Sequence, residues 1–213
     1  MQQPVIQTGP AGETALITTY AESLRTELLR KSIHLLIAFV PSVAQIFGPS
    51  ATLVLMAGGT VFYTLAETLR LSGTQVALVS RITVLASRSR GTAGFELGPV
   101  TLGLGAMLAL YLYPAPAAAI AIYALAFGDG LAGLGGKFLG LTPVPELGGK
   151  TLEGSTICYI AVFFAAFAVT REPGTAVVIA AAATMLEALP TRDLDNIVLP
   201  LGTGLIATGL LAL

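Results

Sequence analysis

The sequence predicts an all-α, polytopic integral membrane protein with about seven transmembrane helices and a cytoplasmic N-terminus. Three observations carry that expectation. Of 213 residues, 54% are hydrophobic and only 11% charged, with a mean hydropathy of +0.83, where a soluble domain carries roughly 25% charged residues. Apolar runs of near-spanning length recur along the chain, broken by Pro and Gly. The basic residues sort almost entirely to one side when those runs are threaded through a bilayer.

A run of about 20 apolar residues crosses the hydrocarbon as a helix. Runs at 32–48, 50–69, 98–113, 115–134, 154–170, 174–189 and 196–213 are read as spans. Pro114 and Pro116 break the third from the fourth, and Pro173-Gly174 the fifth from the sixth. In 72–92, Val76, Val79, Ile82 and Leu85-Ala86 recur at helical spacing while Arg81 and Arg88 point elsewhere. That pattern reads as an amphipathic helix on the membrane surface, with a short re-entrant segment as the alternative. Residues 1–22 form a polar tail without a basic and then apolar leader, so no cleavable signal peptide is expected. Residues 23–213 read as a single transmembrane domain, without low-complexity tracts or convincing repeats.

A net charge of −1 predicts no nucleic-acid partner. Cys158 is the only cysteine and can form no internal disulfide. Trp is absent, so an aromatic belt falls to Tyr and Phe.

Basic residues favour the cytoplasmic side. With the N-terminus inside, Arg25, Arg30 and Lys31 precede the first span, and Arg70, Arg81, Arg88 and Arg90 fill the next inside loop. Lys137 and Lys150 follow in the third and Arg192 in the fourth; only Arg171 falls outside, so ten of eleven agree. Acids contribute little to that rule, yet the same threading brings Glu67, Glu96, Asp129, Glu153, Glu187 and Asp195 to the cytoplasmic half. A single cytoplasmic site is expected.

Asp129 lies near the end of a long apolar run, in Ala-Leu-Ala-Phe-Gly-Asp-Gly-Leu-Ala. An acid there is costly in lipid and needs a partner or a task. Gly128 and Gly130 let backbone approach a ligand beside the carboxylate, and magnesium takes few carboxylates with phosphate oxygens and water. Asp129 is therefore the first metal-ligand candidate; the alternative is a carboxylate paired with a basic side chain in helix packing. Residues 135–152 read as a cytoplasmic phosphate-binding loop. In it, Gly148-Gly149-Lys150-Thr151 with Gly154-Ser155 offers backbone N–H groups and an ammonium to phosphate, at a helix start whose dipole favours anions. The spacing is not Gly-x-x-x-x-Gly-Lys-Ser/Thr, since Val144 stands at the first glycine position. An ordinary glycine-rich loop capped by Thr151 is the alternative. Glu153 is a metal ligand or an acid favoured at a helix start.

Arg30 and Lys31 read as phosphate ligands or as simple positive anchors. His34, one turn beyond Arg30, reads as a substrate-handling or a packed histidine. Glu67 is within pairing reach of Arg70. Glu96 precedes Gly98-Pro99 and also suits a helix start. Glu187, Asp195 and Asn196 bracket the turn before the last run, where Asp195 can also cap a helix.

Together these stretches resemble the CTP-dependent lipid-alcohol kinases: dolichol kinase, phytol kinase and yeast-type diacylglycerol kinase. The matching motifs are Arg30-Lys31-x-x-His34, Glu96-x-Gly98-Pro99, Gly128-Asp129-Gly130-x-Ala132, Lys150-Thr151-x-Glu153-Gly154-Ser155, and Glu187 followed by Asp195-Asn196-x-x-x-Pro200. They cover about residues 30–200. A more distant resemblance is to the CDP-diacylglycerol synthases. The resemblance implies transfer of the γ-phosphoryl group of CTP to a membrane alcohol (a polyprenol or dolichol, a phytol-like prenol, or diacylglycerol), with Mg²⁺ or another divalent cation. It makes residues 23–213 a transmembrane catalytic domain in the cell's inner membrane. On this reading Asp129, with Glu153 or Asp195, holds the metal. Arg30, Lys31, Lys150 and the backbone of Gly128, Gly130, Gly149, Thr151, Gly154 and Ser155, with Asn196, hold the nucleotide, and His34 or a carboxylate orients the hydroxyl. A homodimer is left open. The competing readings are a cytidylyltransferase making a CDP-lipid and, from another class, a membrane transporter. A transporter would place its polar groups near the midplane on broken helices, and here they cluster toward one face.

Overall fold

Proline stands in the first turn of most helices, where a missing N–H is harmless and φ is already helical. In the computed structural model, which describes residues 24–74, 94–191 and 194–212, the chain is helical over 24–36 (α1), then Val40–Phe47 (α2) and Pro49–Leu71 (α3). Gly98–Leu112 (α4) and Ala115–Tyr123 (α5) follow. A π-helical turn, Ala124–Asp129, runs α5 straight into Gly130–Leu139 (α6). Leu152–Thr170 (α7), Pro173–Ala188 (α8) and Asp195–Leu211 (α9) complete the fold. The one sheet among the described residues is an antiparallel ribbon of Pro143–Val144 (β1) and Lys150–Thr151 (β2). The fold is all-α, as the composition predicts.

Among the described residues, three helices are long and apolar enough to cross a membrane: Pro49–Leu71, the continuous Ala115–Leu139, and Leu152–Thr170. The middle one is 72% buried over its apolar window, against 17% and 22% for the others, so it is the axis of the bundle. Its alanines explain how: Ala117, Ala124 and Ala132 let α7, α8 and α9 approach closely, where they bury Cys158, Val162, Ile179 and Leu199. On the other side Leu102, Ala106 and Ala109 of α4 and Val40 of α2 meet Ala121, Ile122 and Leu125. Outward faces carry large apolar side chains, such as Leu55 and Phe62 on α3 and Phe164 on α7.

Two expected elements differ. The first apolar run is not one helix. Val40 N–H bonds the carbonyl of Ile37 in a tighter 3₁₀ turn, Ile37–Phe39, and Pro41 then restarts the helix as α2. The fourth run extends to Leu139, so 135–139 of the expected loop are helical. Gly135 and Gly136 do not break the helix there; they let it lie against Ile157 and Thr151, where a Cβ would collide. The expected surface segment, 72–92, lies almost wholly outside the described residues, as do the tail, 1–22, and Arg192.

Candidate functional site

The π-helical turn adds a residue to a helix that is otherwise regular, and Asp129 is its last member. The result turns Asp129 toward α1. Lys31 Nζ donates to Asp129 Oδ2 at 2.7 Å and to its main-chain carbonyl at 2.9 Å. His34 Nδ1 stands 2.9 Å from the same Oδ2. All three side chains are buried. One turn earlier on α1, Arg30 donates to Glu27 at 2.6 Å, and its Nε is buried without a hydrogen bond to a described residue.

The glycine-rich loop is shaped by two left-handed residues, Gly148 (φ 69°) and Gly149 (φ 84°), which return the chain from β1 to β2. Leu152 N–H then bonds the Thr142 carbonyl, and Thr151 Oγ1 accepts Gly154 N–H at 3.1 Å, capping α7. This closes the base of the loop. Lys150 projects across to the end of α8, where Nζ lies 3.0 Å from Glu187 Oε1 and also donates to the Glu187 carbonyl. Glu187 Oε2 is buried and has no partner among the described residues.

These pieces enclose one cavity of about 910 Å³. Antiparallel succession brings the starts of α7 and α9 and the end of α8 to the same end of the bundle. Its walls hold Arg30, Lys31, Asp129, Gly149, Lys150, Thr151, Gly154, Ser155, Glu96, Glu187 and Asp195 from the sequence reading, together with Glu27 and Lys137, which that reading passed over as site residues. Glu27 was signalled by its spacing, three residues before Arg30. Lys137 was visible only as an inside-loop charge.

Other expected site residues lie elsewhere. Glu153 does not line the cavity; its carboxylate accepts the Thr142 N–H at 3.3 Å, behind the loop. Gly128 and Gly130 are packing positions. A Cβ on Gly128 would stand 3.0 Å from Val162 Cγ2 and one on Gly130 3.5 Å from Leu35 Cδ2. His34 backs Asp129 from beneath rather than facing the cavity. Asn196 joins α9 to α4, its Nδ2 donating to Thr101 Oγ1 at 2.9 Å and to the Gly98 carbonyl at 3.3 Å. Glu67 accepts both Arg70 Nε and an Arg70 terminal nitrogen, at 2.8 and 2.7 Å, and the Glu96 N–H at 3.1 Å. It thereby holds the chain that carries Glu96 to the cavity wall.

Asp195 Oδ1 accepts the Asn196 N–H at 2.9 Å, at the first turn of α9. Among the described residues no three His, Cys, Asp or Glu side chains converge to hold a metal by themselves. The donor set instead suits a cation that brings its own phosphate oxygens and water, as magnesium does. The carboxylates of its wall are those of Glu27, Glu96, Asp129, Glu187 and Asp195. The same cavity presents Lys31, Lys150, Arg30 and the start of α7 to an anion. Comparison of the chain with protein-family models, with curated proteins and with solved structures finds no match.

Proposed function

We propose that the chain is a membrane phosphotransferase that moves the γ-phosphoryl group of a nucleoside triphosphate to a lipid alcohol. One observation carries the reading. Three stretches far apart in sequence, 27–31, 129–137 and 147–155, meet at one end of an apolar bundle around a polar cavity that offers both cations and carboxylates. Phosphoryl transfer asks for little else, because its catalysis is mostly positioning and charge neutralisation. CTP as the nucleotide, and a prenol or diacylglycerol as the acceptor, come from the motif resemblance. We further propose seven spans, with the N-terminus and the cavity on the cytoplasmic side of the inner membrane, and residues 23–213 as the catalytic domain.

In this reading Lys150, Lys31 and Arg30 bind the phosphate chain, and the N–H groups at the start of α7 receive a terminal phosphate. A divalent cation, when bound, would neutralise charge on the phosphate oxygens; one or two of the wall carboxylates Asp129, Glu187 and Asp195 would hold it. His34 keeps Asp129 oriented. The lipid hydroxyl attacks the γ-phosphorus and the nucleoside diphosphate leaves, with the hydroxyl proton passing to a cavity carboxylate. Ala132, Leu147 and Pro190 are apolar groups of the cavity wall, and in this reading the acceptor's chain lies against them.

The test is a detergent-micelle assay with γ-labelled CTP or ATP, Mg²⁺, and a panel of polyprenols, phytol and diacylglycerol. Label appearing on one alcohol establishes the kinase and selects its branch. Release of label only as pyrophosphate on adding phosphatidate replaces it with a cytidylyltransferase. No transfer under any combination removes the kinase reading.

A further inference from the structure

Three of the cations that line this cavity are held by carboxylates. Lys31 is 2.7 Å from Asp129, Lys150 is 3.0 Å from Glu187, and Arg30 is 2.6 Å from Glu27. Each ammonium commits two of its three donors to its carboxylate residue, so a phosphate chain that engages Lys31 and Lys150 takes up a share of the charge that neutralises Asp129 and Glu187. Both carboxylates are more than nine-tenths buried, and a buried carboxylate deprived of its partner is strongly unfavourable. A divalent cation arriving with the phosphate resolves the conflict. It takes the carboxylates while the phosphate takes the lysines.

A second, independent feature points to the same cation. Glu187 lines the cavity and is buried, and its Oε1 faces Lys150, yet Oε2 has no partner among the described residues. An ionised carboxylate oxygen can only accept. Lys150 thus leaves half of the Glu187 carboxylate unsatisfied beside the cavity, a deficit that a cation bound there would meet. Magnesium needs only one or two such carboxylates beside phosphate oxygens and water.

We infer that Lys31 and Lys150 compete with a divalent cation for the carboxylate oxygens of Asp129 and Glu187, and that phosphate, by binding the lysines, decides the competition for the metal. The inference rests on the proposed phosphate-and-cation reading of the cavity and deepens it: metal and phosphate affinities are coupled through two lysines. By linkage the coupling is reciprocal.

The test uses the full chain in detergent micelles, Mn²⁺ as the probe followed by its EPR signal, and tripolyphosphate as the anion, so that the nucleotide base is irrelevant. The wild-type protein is expected to bind Mn²⁺ about tenfold more tightly with tripolyphosphate than without. Lys31→Met and Lys150→Met are each expected to bind Mn²⁺ about tenfold more tightly than wild type with no phosphate present, because the carboxylate is then uncontested. An unchanged Mn²⁺ affinity in the lysine variants overturns the inference, and so does a wild-type affinity indifferent to tripolyphosphate. If one variant does not give a monodisperse folded protein by size exclusion, the other decides. Failure of the kinase reading looks different: no alcohol is labelled, while the lysine variants still gain Mn²⁺ affinity.

Discussion

Lys31 reaches across 98 positions of sequence to bond Asp129 twice, through the carboxylate at 2.7 Å and the main-chain carbonyl at 2.9 Å. The contact joins α1 to the axial helix of the bundle and sits in the wall of the cavity. Its removal is therefore expected to affect both stability and the proposed phosphoryl transfer, and the two effects can be separated.

Asp129→Asn is expected to abolish phosphoryl transfer and to destabilise the fold by about 3–5 kcal/mol, since the Lys31 ammonium is left buried without its counter-charge. The double variant Lys31→Met/Asp129→Asn removes both charges. Thermal unfolding in micelles is expected to return most of the stability, with transfer still absent. Full activity in the single variant would remove Asp129 from the mechanism.

Gly148 has φ 69° and ψ 24°, a left-handed conformation in which a side chain costs about 1–2 kcal/mol. A Cβ there also stands 3.3 Å from Pro190 Cβ. Gly148→Ala is expected to raise the KM for nucleotide more than it lowers kcat, because the loop that carries Lys150 is displaced. Steady-state kinetics with nucleotide varied measure the split.

Thr151→Ala removes the side-chain cap on Gly154 N–H and is expected to lower stability by about 1 kcal/mol. Thr151→Ser keeps the hydroxyl and is expected to restore it. A melting comparison of the three proteins in one detergent decides the matter.

Glu67 is fully buried and holds Arg70 and the Glu96 N–H. Glu67→Ala is expected to destabilise by about 3–5 kcal/mol by leaving Arg70 unpaired. The folded fraction is expected to keep most of its transfer activity, since Glu67 does not line the cavity. A melting curve and an activity normalised to folded protein separate the two.

Much of the helical layout was legible because apolar runs and prolines mark it directly. Pro49, Pro99, Pro116 and Pro173 each stand in a first turn, and the run read at 50–69 lies within Pro49–Leu71. The 3₁₀ interruption at Ile37–Phe39 carries the same mark in Pro41, in the first turn of α2, but that proline lies inside an apolar run that reads as one span. The site was legible in its residue types but not in its pairings. The rule that singled out Asp129, an acid inside an apolar run, applies equally to Glu187, but nothing local says that Lys150 will meet it. Pairing across helices depends on how each is rotated, and helices that are apolar all round give no periodicity from which to read that rotation. Glu153 and the glycines flanking Asp129 show the same gap: the residue types suited a ligand site, and the fold spent them on a loop contact and on close packing.

The π-helical turn at Ala124–Asp129 holds one residue more than regular α-helix would, so the cavity depends on chain length as well as on side-chain chemistry. Deleting one residue within 124–127 would leave every charged group of the cavity in the sequence and let the segment relax to regular α-helix. The helix beyond would keep its facing relative to α5, because the wider turn already absorbs the extra residue. An added residue there has no such reserve. It would rotate everything beyond it by about 100°, since each helical residue turns the chain by that amount, and Asp129 would face a different neighbour than Lys31.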